Sequence, residues 1–121
     1  MRLVAGLAAL AALGAAGAQP ATSSAPSSSS SVAVSTTLAP GKAHEACMGL
    51  SAGDKRRWYW KSDAPVDFTI HYHDNGTMRD LVTRNAMRGD GGTFTAQNPG
   101  AYCWTWRASK PAKLEGKIET P

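Results

Sequence analysis

The chain has 121 residues, 13 Lys and Arg against 9 Asp and Glu, a net charge of +4 and 42% hydrophobic residues. A chain this short has room for one folded domain and no second, and its mild, interspersed charge excludes the dense basic run of a nucleic-acid-binding protein. Its two cysteines, Cys47 and Cys103, lie far apart and lack the Cys-x-x-Cys spacing that lowers a thiol pKa, which excludes a thioredoxin-type redox pair.

Arg2 precedes a continuous run of Leu, Val, Ala and Gly that reaches Ala18, the pattern of a signal peptide. The apolar stretch from Leu3 to Leu13 falls short of the roughly 20 residues needed to span a bilayer. Ala16-Gly17-Ala18 supplies a small-x-small cleavage site, so residues 1–18 are expected to be removed before Gln19. No cysteine lies near that site, so amino-terminal lipidation is not available, and the mature chain is expected to be exported to the periplasm or beyond without stable membrane insertion. Residues 19–31, dominated by Ser, Ala, Thr and Pro, read as a disordered tether, because such a segment cannot bury enough apolar surface to offset its chain entropy. The folding unit is then 32–121, about 90 residues with a modest core. In an oxidising compartment an even cysteine count reads as a bridge. The one possible pairing, Cys47 with Cys103, is expected to stabilise the domain by about 4 kcal/mol on the chain-entropy model.

From Val32 onward, short apolar or alternating runs are broken by Gly, Pro, Asp and Asn about every ten residues, the spacing of an antiparallel sandwich or barrel. The runs predict strands at Val32 to Leu38, Ala43 to Leu50, Lys55 to Lys61, Val66 to His73, Arg79 to Thr83, Gly92 to Thr95, Ala101 to Ala108 and Ala112 to Glu119. Turn chemistry separates them, with Ala39-Pro40-Gly41, Asp63-Ala64-Pro65, Asp74-Asn75-Gly76 and Asn98-Pro99-Gly100 among the clearest signals. The densest basic cluster, Lys55-Arg56-Arg57, reads as a solvated strand entry. In the fourth strand Val66, Phe68, Ile70 and Tyr72 alternate with Asp67, Thr69, His71 and His73, giving one core face and one polar face. In the seventh, Tyr102, Trp104 and Trp106 alternate with Cys103 and Thr105. There the pattern leaves open whether both faces are buried or the rings stand at the surface.

The run Ala64-Pro65-Val66-Asp67-Phe68-Thr69-Ile70-His71-Tyr72-His73, followed by Gly92-Thr93-Phe94-Thr95-Ala96 and Tyr102-Cys103-Trp104-Thr105-Trp106, resembles the GOLD domain. The resemblance covers roughly Thr37 to Glu119 and is nearest to small exported bacterial GOLD-like proteins, more distantly to the lumenal domain of p24 cargo receptors. It implies a β-sandwich of seven or eight antiparallel strands, GOLD- or jelly-roll-like, with a disulfide joining its sheets. It also implies a protein-interaction module without family-wide catalytic residues. The chain lacks the coiled-coil heptads and sorting tail of the p24 proteins, so cargo-receptor function does not carry over.

His71 and His73 stand two apart on one strand, so their rings project from one face about 7 Å apart at the backbone, a spacing that can chelate Zn²⁺ or Cu²⁺. Asp67 shares that face, and His44 joins them if its strand is a neighbour. The bland reading of the same residues is a polar strand face with hydrogen-bonded imidazoles. A cupin-type metal motif fails because no Glu follows at short range and no later His exists. No Gly-x-Ser-x-Gly turn is present to expose a nucleophile. Asn75-Gly76-Thr77 matches a glycosylation acceptor and reads equally as turn chemistry. Core packing is the leading account of the aromatic load, and a surface of Tyr59, Trp104 and Trp106 that stacks on sugar rings or grips a partner is the functional one. Together these readings predict a non-enzymatic binding module that contacts a protein or envelope component. The second prediction is an exported metal-binding protein that uses His71 and His73.

Overall fold

The computed structural model describes residues 31–121. The expected signal peptide and the tether through Ser30 lie outside the described residues, while Ser31 already belongs to the first strand. Six strands account for the fold: β1 (Ser31–Leu38), β2 (Ala43–Leu50), β3 (Lys55–Asp74), β4 (Thr77–Thr95), β5 (Gly100–Arg107) and β6 (Ala112–Glu119). All pair antiparallel in one curled sheet.

The organising element is the long β3–β4 hairpin. Its tip is Asn75-Gly76, both residues at positive φ (50° and 85°), as a tight two-residue hairpin turn requires. β4 runs along one edge of β3. The other edge is shared: β6 pairs with Arg57 to Ser62, and β5 pairs with Asp67 to His73. β1 extends the sheet beyond β6, and β2 extends it beyond β5.

Eight strands were expected and six are found, because the third and fourth expected strands are the two arms of β3 and the fifth and sixth are the two arms of β4. The turn chemistry at Asp63-Ala64-Pro65 bends the strand without ending it, and the register with β4 slips between Lys61 and Val66 and again between Val66 and Phe68. Pro65 lacks an N–H, so an irregular stretch suits it. The bend is tied in place by Asp63, whose Oδ1 accepts the Lys113 N–H at 2.7 Å and whose carbonyl accepts from Arg88 at 3.1 Å.

On β4 the matching irregularity is Asn85-Ala86. Ala86 has φ of 56°, uncommon for a residue with a Cβ, and its N–H donates to Asp67 Oδ1 at 2.8 Å. Ala86→Gly is therefore expected to stabilise the fold by roughly 0.5–1 kcal/mol, the left-handed strain it relieves outweighing the entropy that glycine adds to the unfolded chain. Asp67→Ala should cost about 1 kcal/mol by leaving that amide without its acceptor. Urea denaturation of the two variants checks both signs.

Because the hairpin bends, the inner surfaces of its two arms face each other. Phe68 from one arm meets Trp58 at 4.8 Å and Trp60 at 5.6 Å between ring centroids on the other, and Trp106 of β5 at 5.5 Å. Val34, Leu38, Leu50, Ile70, Leu114 and Ile118 fill the remaining space. Arg84 and Asp90, one from each arm of β4, pair at 3.3 Å at the rim of this core. On the outer surface Arg57 of β3 pairs with Glu119 of β6 at 3.1 Å. That hydrogen bond, with a second from Lys117, holds the Glu119 carboxyl below the usual carboxylate range.

The disulfide forms between the expected cysteines and differs from expectation in its place. Cys47 and Cys103 are register partners on adjacent strands β2 and β5, with Cα atoms 4.0 Å apart. The bridge thus staples neighbouring strands and does not connect two sheets. Directly opposed residues of an antiparallel pair have side chains on one face, which is the geometry such a staple needs.

Candidate functional site

Alternation along β5 sends Tyr102, Trp104 and Trp106 to the inner surface and Cys103 and Thr105 to the outer one. Trp104 is 0% exposed and Trp106 1% exposed. The expectation of a surface made from Tyr59, Trp104 and Trp106 is corrected accordingly: the two tryptophans are core, Trp104 packed against Phe94 and Trp106 against Phe68 and His44. Tyr59 alone of the three stands at the surface, 54% exposed, beside a shallow depression lined by Val34, Lys61 and Glu115.

The histidines are also divided. His71 and His73 lie on the outer surface of β3 with ring centroids 4.9 Å apart, edge to face. His44 points to the inner side of β2, where its ring lies 5.9 Å from Trp106. Asp67 is engaged by the Ala86 amide. Neither joins the histidine pair. The groups that do approach it come from β2 and β5: Glu45 Oε2 is 3.7 Å from His71 Nε2, and Cys103 is the register partner of His71.

A cleft of about 630 Å³ opens where the two ends of the bent hairpin approach each other. Its aromatic wall comes from β3, β4 and β5. Tyr72 stacks on Tyr102 at 4.8 Å and 27°, and Phe94 packs against Tyr102 at 5.3 Å and edge-on to Trp104 at 5.7 Å. Gly100 makes the stack possible, because a Cβ there would stand 2.6 Å from the Tyr72 ring. The Tyr102 hydroxyl donates to the Asn98 carbonyl at 2.6 Å and fixes the segment carrying Gln97 and Asn98 on one rim. Asp74 and Arg79, paired at 3.3 Å, form the other rim.

Leu81 reaches the cleft through a bulge. Ile70 pairs with Val82 and His71 with Asp80, so Leu81 has no partner on β3 and its side chain is re-aimed into the opening. Burial, together with Asp74 and Tyr102, raises the Tyr72 phenol above its ordinary pKa against an opposing effect of Arg79. A phenol is protonated near neutral pH even at its ordinary pKa, so Tyr72 offers a hydroxyl donor to the cleft.

The sequence reading missed this site. Tyr72, Phe94 and Tyr102 each fit a strand's apolar phase, and only the bend brings residues 72–81 and 94–102 together. The usable signal was the charged pair Asp74 and Arg79 flanking the Asn-Gly turn, which marks an exposed hairpin end.

The chain is thus an antiparallel all-β protein with one cross-strand disulfide and an aromatic-walled cleft. No protein-family model matches it by sequence, and no curated protein matches it either. Among solved structures, the mitogen derived from Yersinia pseudotuberculosis has a similar fold, with a TM-score of 0.50 at 13% identity over 76% of this chain and 86% of that one. A de novo designed double-stranded β-helix aligns with a TM-score of 0.39 at 20% identity, over 74% of this chain and 99% of that one. PliG from Aeromonas hydrophila, a periplasmic inhibitor of g-type lysozyme, aligns at 0.45 and 11% identity, over 74% and 87%. Likeness at these identities concerns the fold alone. Among the described residues no helix is long and apolar enough to cross a membrane.

Proposed function

We propose that the protein works outside the cytosol as a non-enzymatic binding module, and that a protein or other envelope component inserts an exposed group into the cleft walled by Tyr72, Phe94 and Tyr102. The cleft carries the reading. Its volume of about 630 Å³ lies within the range of ligand sites. It also joins stacked aromatic rings to a few fixed polar groups, the combination that gives area and orientation together. Asp74 is held by Arg79, so the rim presents hydrogen-bonding groups suited to recognition. The disulfide favours an oxidising compartment. The resemblance to GOLD domains agrees with an interaction role, and the meeting of both hairpin arms on Phe68 favours a sandwich of the GOLD or jelly-roll kind.

A photo-cross-linking residue at position 81, tested in the native envelope beside one at position 59, is the direct test. A discrete adduct is expected from position 81 and none from position 59, which lies on the outer surface. Leu81→Ser changes an exposed side chain and should leave stability within about 0.5 kcal/mol. With the probe moved to position 97, that substitution should weaken adduct formation about tenfold, as loss of an apolar anchor does. Adducts indifferent to probe position, or untouched by Leu81→Ser, would refute the cleft as the site.

A further inference from the structure

On the outer surface of the same sheet, away from the cleft, three adjacent strands place four metal-ligating side chains around one spot. Cys47 of β2, Cys103 of β5 and His71 of β3 occupy one register row. Glu45 stands two residues before Cys47 on the same face, with Oε1 3.3 Å from Cys47 Sγ and Oε2 3.7 Å from His71 Nε2. The Thr105 hydroxyl donates to Glu45 Oε2 at 3.2 Å and holds the carboxylate over the row. Candidate ligand atoms of Glu45, Cys47 and Cys103 all lie within 4.8 Å of one another, as do those of His71, His73 and Cys103. His71 is only 5% exposed, unusual for a histidine on an outer sheet face.

We propose that reduction of the Cys47–Cys103 disulfide converts this row into a Zn²⁺ site with Cys47, Cys103, His71 and Glu45 as its ligands. While the bridge is intact neither sulfur is a thiolate, and among the described residues each group of three candidate ligands includes Cys103, so His71 is left with Glu45 on one side or His73 on the other, too few to hold the ion. A dithiol reductant transfers two electrons to the disulfide: the sulfur–sulfur bond breaks, Cys47 and Cys103 each gain a thiol proton, and the reductant becomes a disulfide. Zn²⁺ then displaces both thiol protons to solvent and bonds to the two sulfurs, the imidazole and the carboxylate. Tetrahedral coordination with bonds of about 2.3 Å to sulfur needs the sulfurs roughly 3.8 Å apart. Rotation about each Cα–Cβ bond supplies that separation between register partners. The cross-link between β2 and β5 is thereby exchanged for a metal cross-link that adds β3, and the strand arrangement stays the same.

The test uses the mature chain in oxidised form and after phosphine reduction, titrated with Co²⁺ and then Zn²⁺. Reduced protein is expected to show the thiolate-to-Co²⁺ charge-transfer absorption with one equivalent of metal, displaced by one equivalent of Zn²⁺. Oxidised protein should show none. His71→Ala and Glu45→Gln should each weaken Zn²⁺ binding about tenfold or more in the reduced state. An absent charge-transfer band, equal binding in both redox states, or wild-type affinity in His71→Ala would overturn the proposal. If reduction unfolds the chain, circular dichroism decides. Recovery of the strand spectrum with Zn²⁺ in wild type and its failure in His71→Ala support the site, and no recovery, or equal recovery in both, overturns it.

Discussion

Phe68→Ala is expected to remove about 3–5 kcal/mol of folding stability, the cost of truncating a fully buried aromatic side chain. Phe68 is 0% exposed and touches Trp58 and Trp60 of one hairpin arm and Trp106 of β5, so both inner surfaces close on its ring. A cavity there cannot collapse easily, because the surrounding indoles are held by strands paired on both edges. Domains of this size have only about 5–15 kcal/mol in total, so the variant should melt roughly 15–30 °C lower. Phe68 is a cleaner probe than its neighbours. Trp60, Trp104 and Trp106 each bury an indole N–H without a hydrogen-bond partner among the described residues, so truncating one would relieve a penalty while it opens a cavity. Urea denaturation followed by tryptophan fluorescence measures the loss. Tyr59→Ala, at an exposed ring, should stay within about 0.5 kcal/mol. A loss at Phe68 below about 1 kcal/mol would mean that the two arms do not pack on it.

The period-two alternation of Val66 to His73 was enough to assign that strand and its inward side, since a half-buried strand must sort its side chains face by face. For Tyr102 to Trp106 it was enough for the strand but not for the side, because Cys103 between the rings is apolar too and both faces are buried there. Cysteine count and expected export were enough for the bridge. Continuity was what the sequence concealed: Asp63-Ala64-Pro65 and Gly89-Asp90-Gly91-Gly92 carry the residues of chain-reversing turns, yet both lie inside strands that bend or run straight through. A turn signal reports local backbone freedom, and whether the chain reverses there depends on which strands lie alongside. The same gap hid the site. His44 and Asp67 are near His71 by strand arithmetic, but His44 falls on the opposite face of β2 and Asp67 is spent on the Ala86 bulge. Glu45, which does approach His71, sits one residue from His44 and therefore on the other side of its strand.

Replacing Cys47 and Cys103 together with Ala is expected to cost about 4 kcal/mol, close to the loss at Phe68 and for a different reason. The two residues are 56 apart in sequence, and the loop they close contains all of β3 and β4. In the folded state the staple joins strands already aligned by a full antiparallel register from Ala43–Arg107 to Leu50–Gly100, so it adds little new contact. Its effect falls on the unfolded chain, whose freedom it restricts. Two readouts separate this from a local packing loss. The unbridged chain should unfold with a steeper dependence on urea, because its denatured state is less compact and exposes more surface. Amide exchange should also accelerate first along β2, which among the described residues is an edge strand paired with β5 alone. A stability change below about 1 kcal/mol with an unchanged urea dependence would show that the bridge does not restrict the unfolded chain as the loop-entropy account requires.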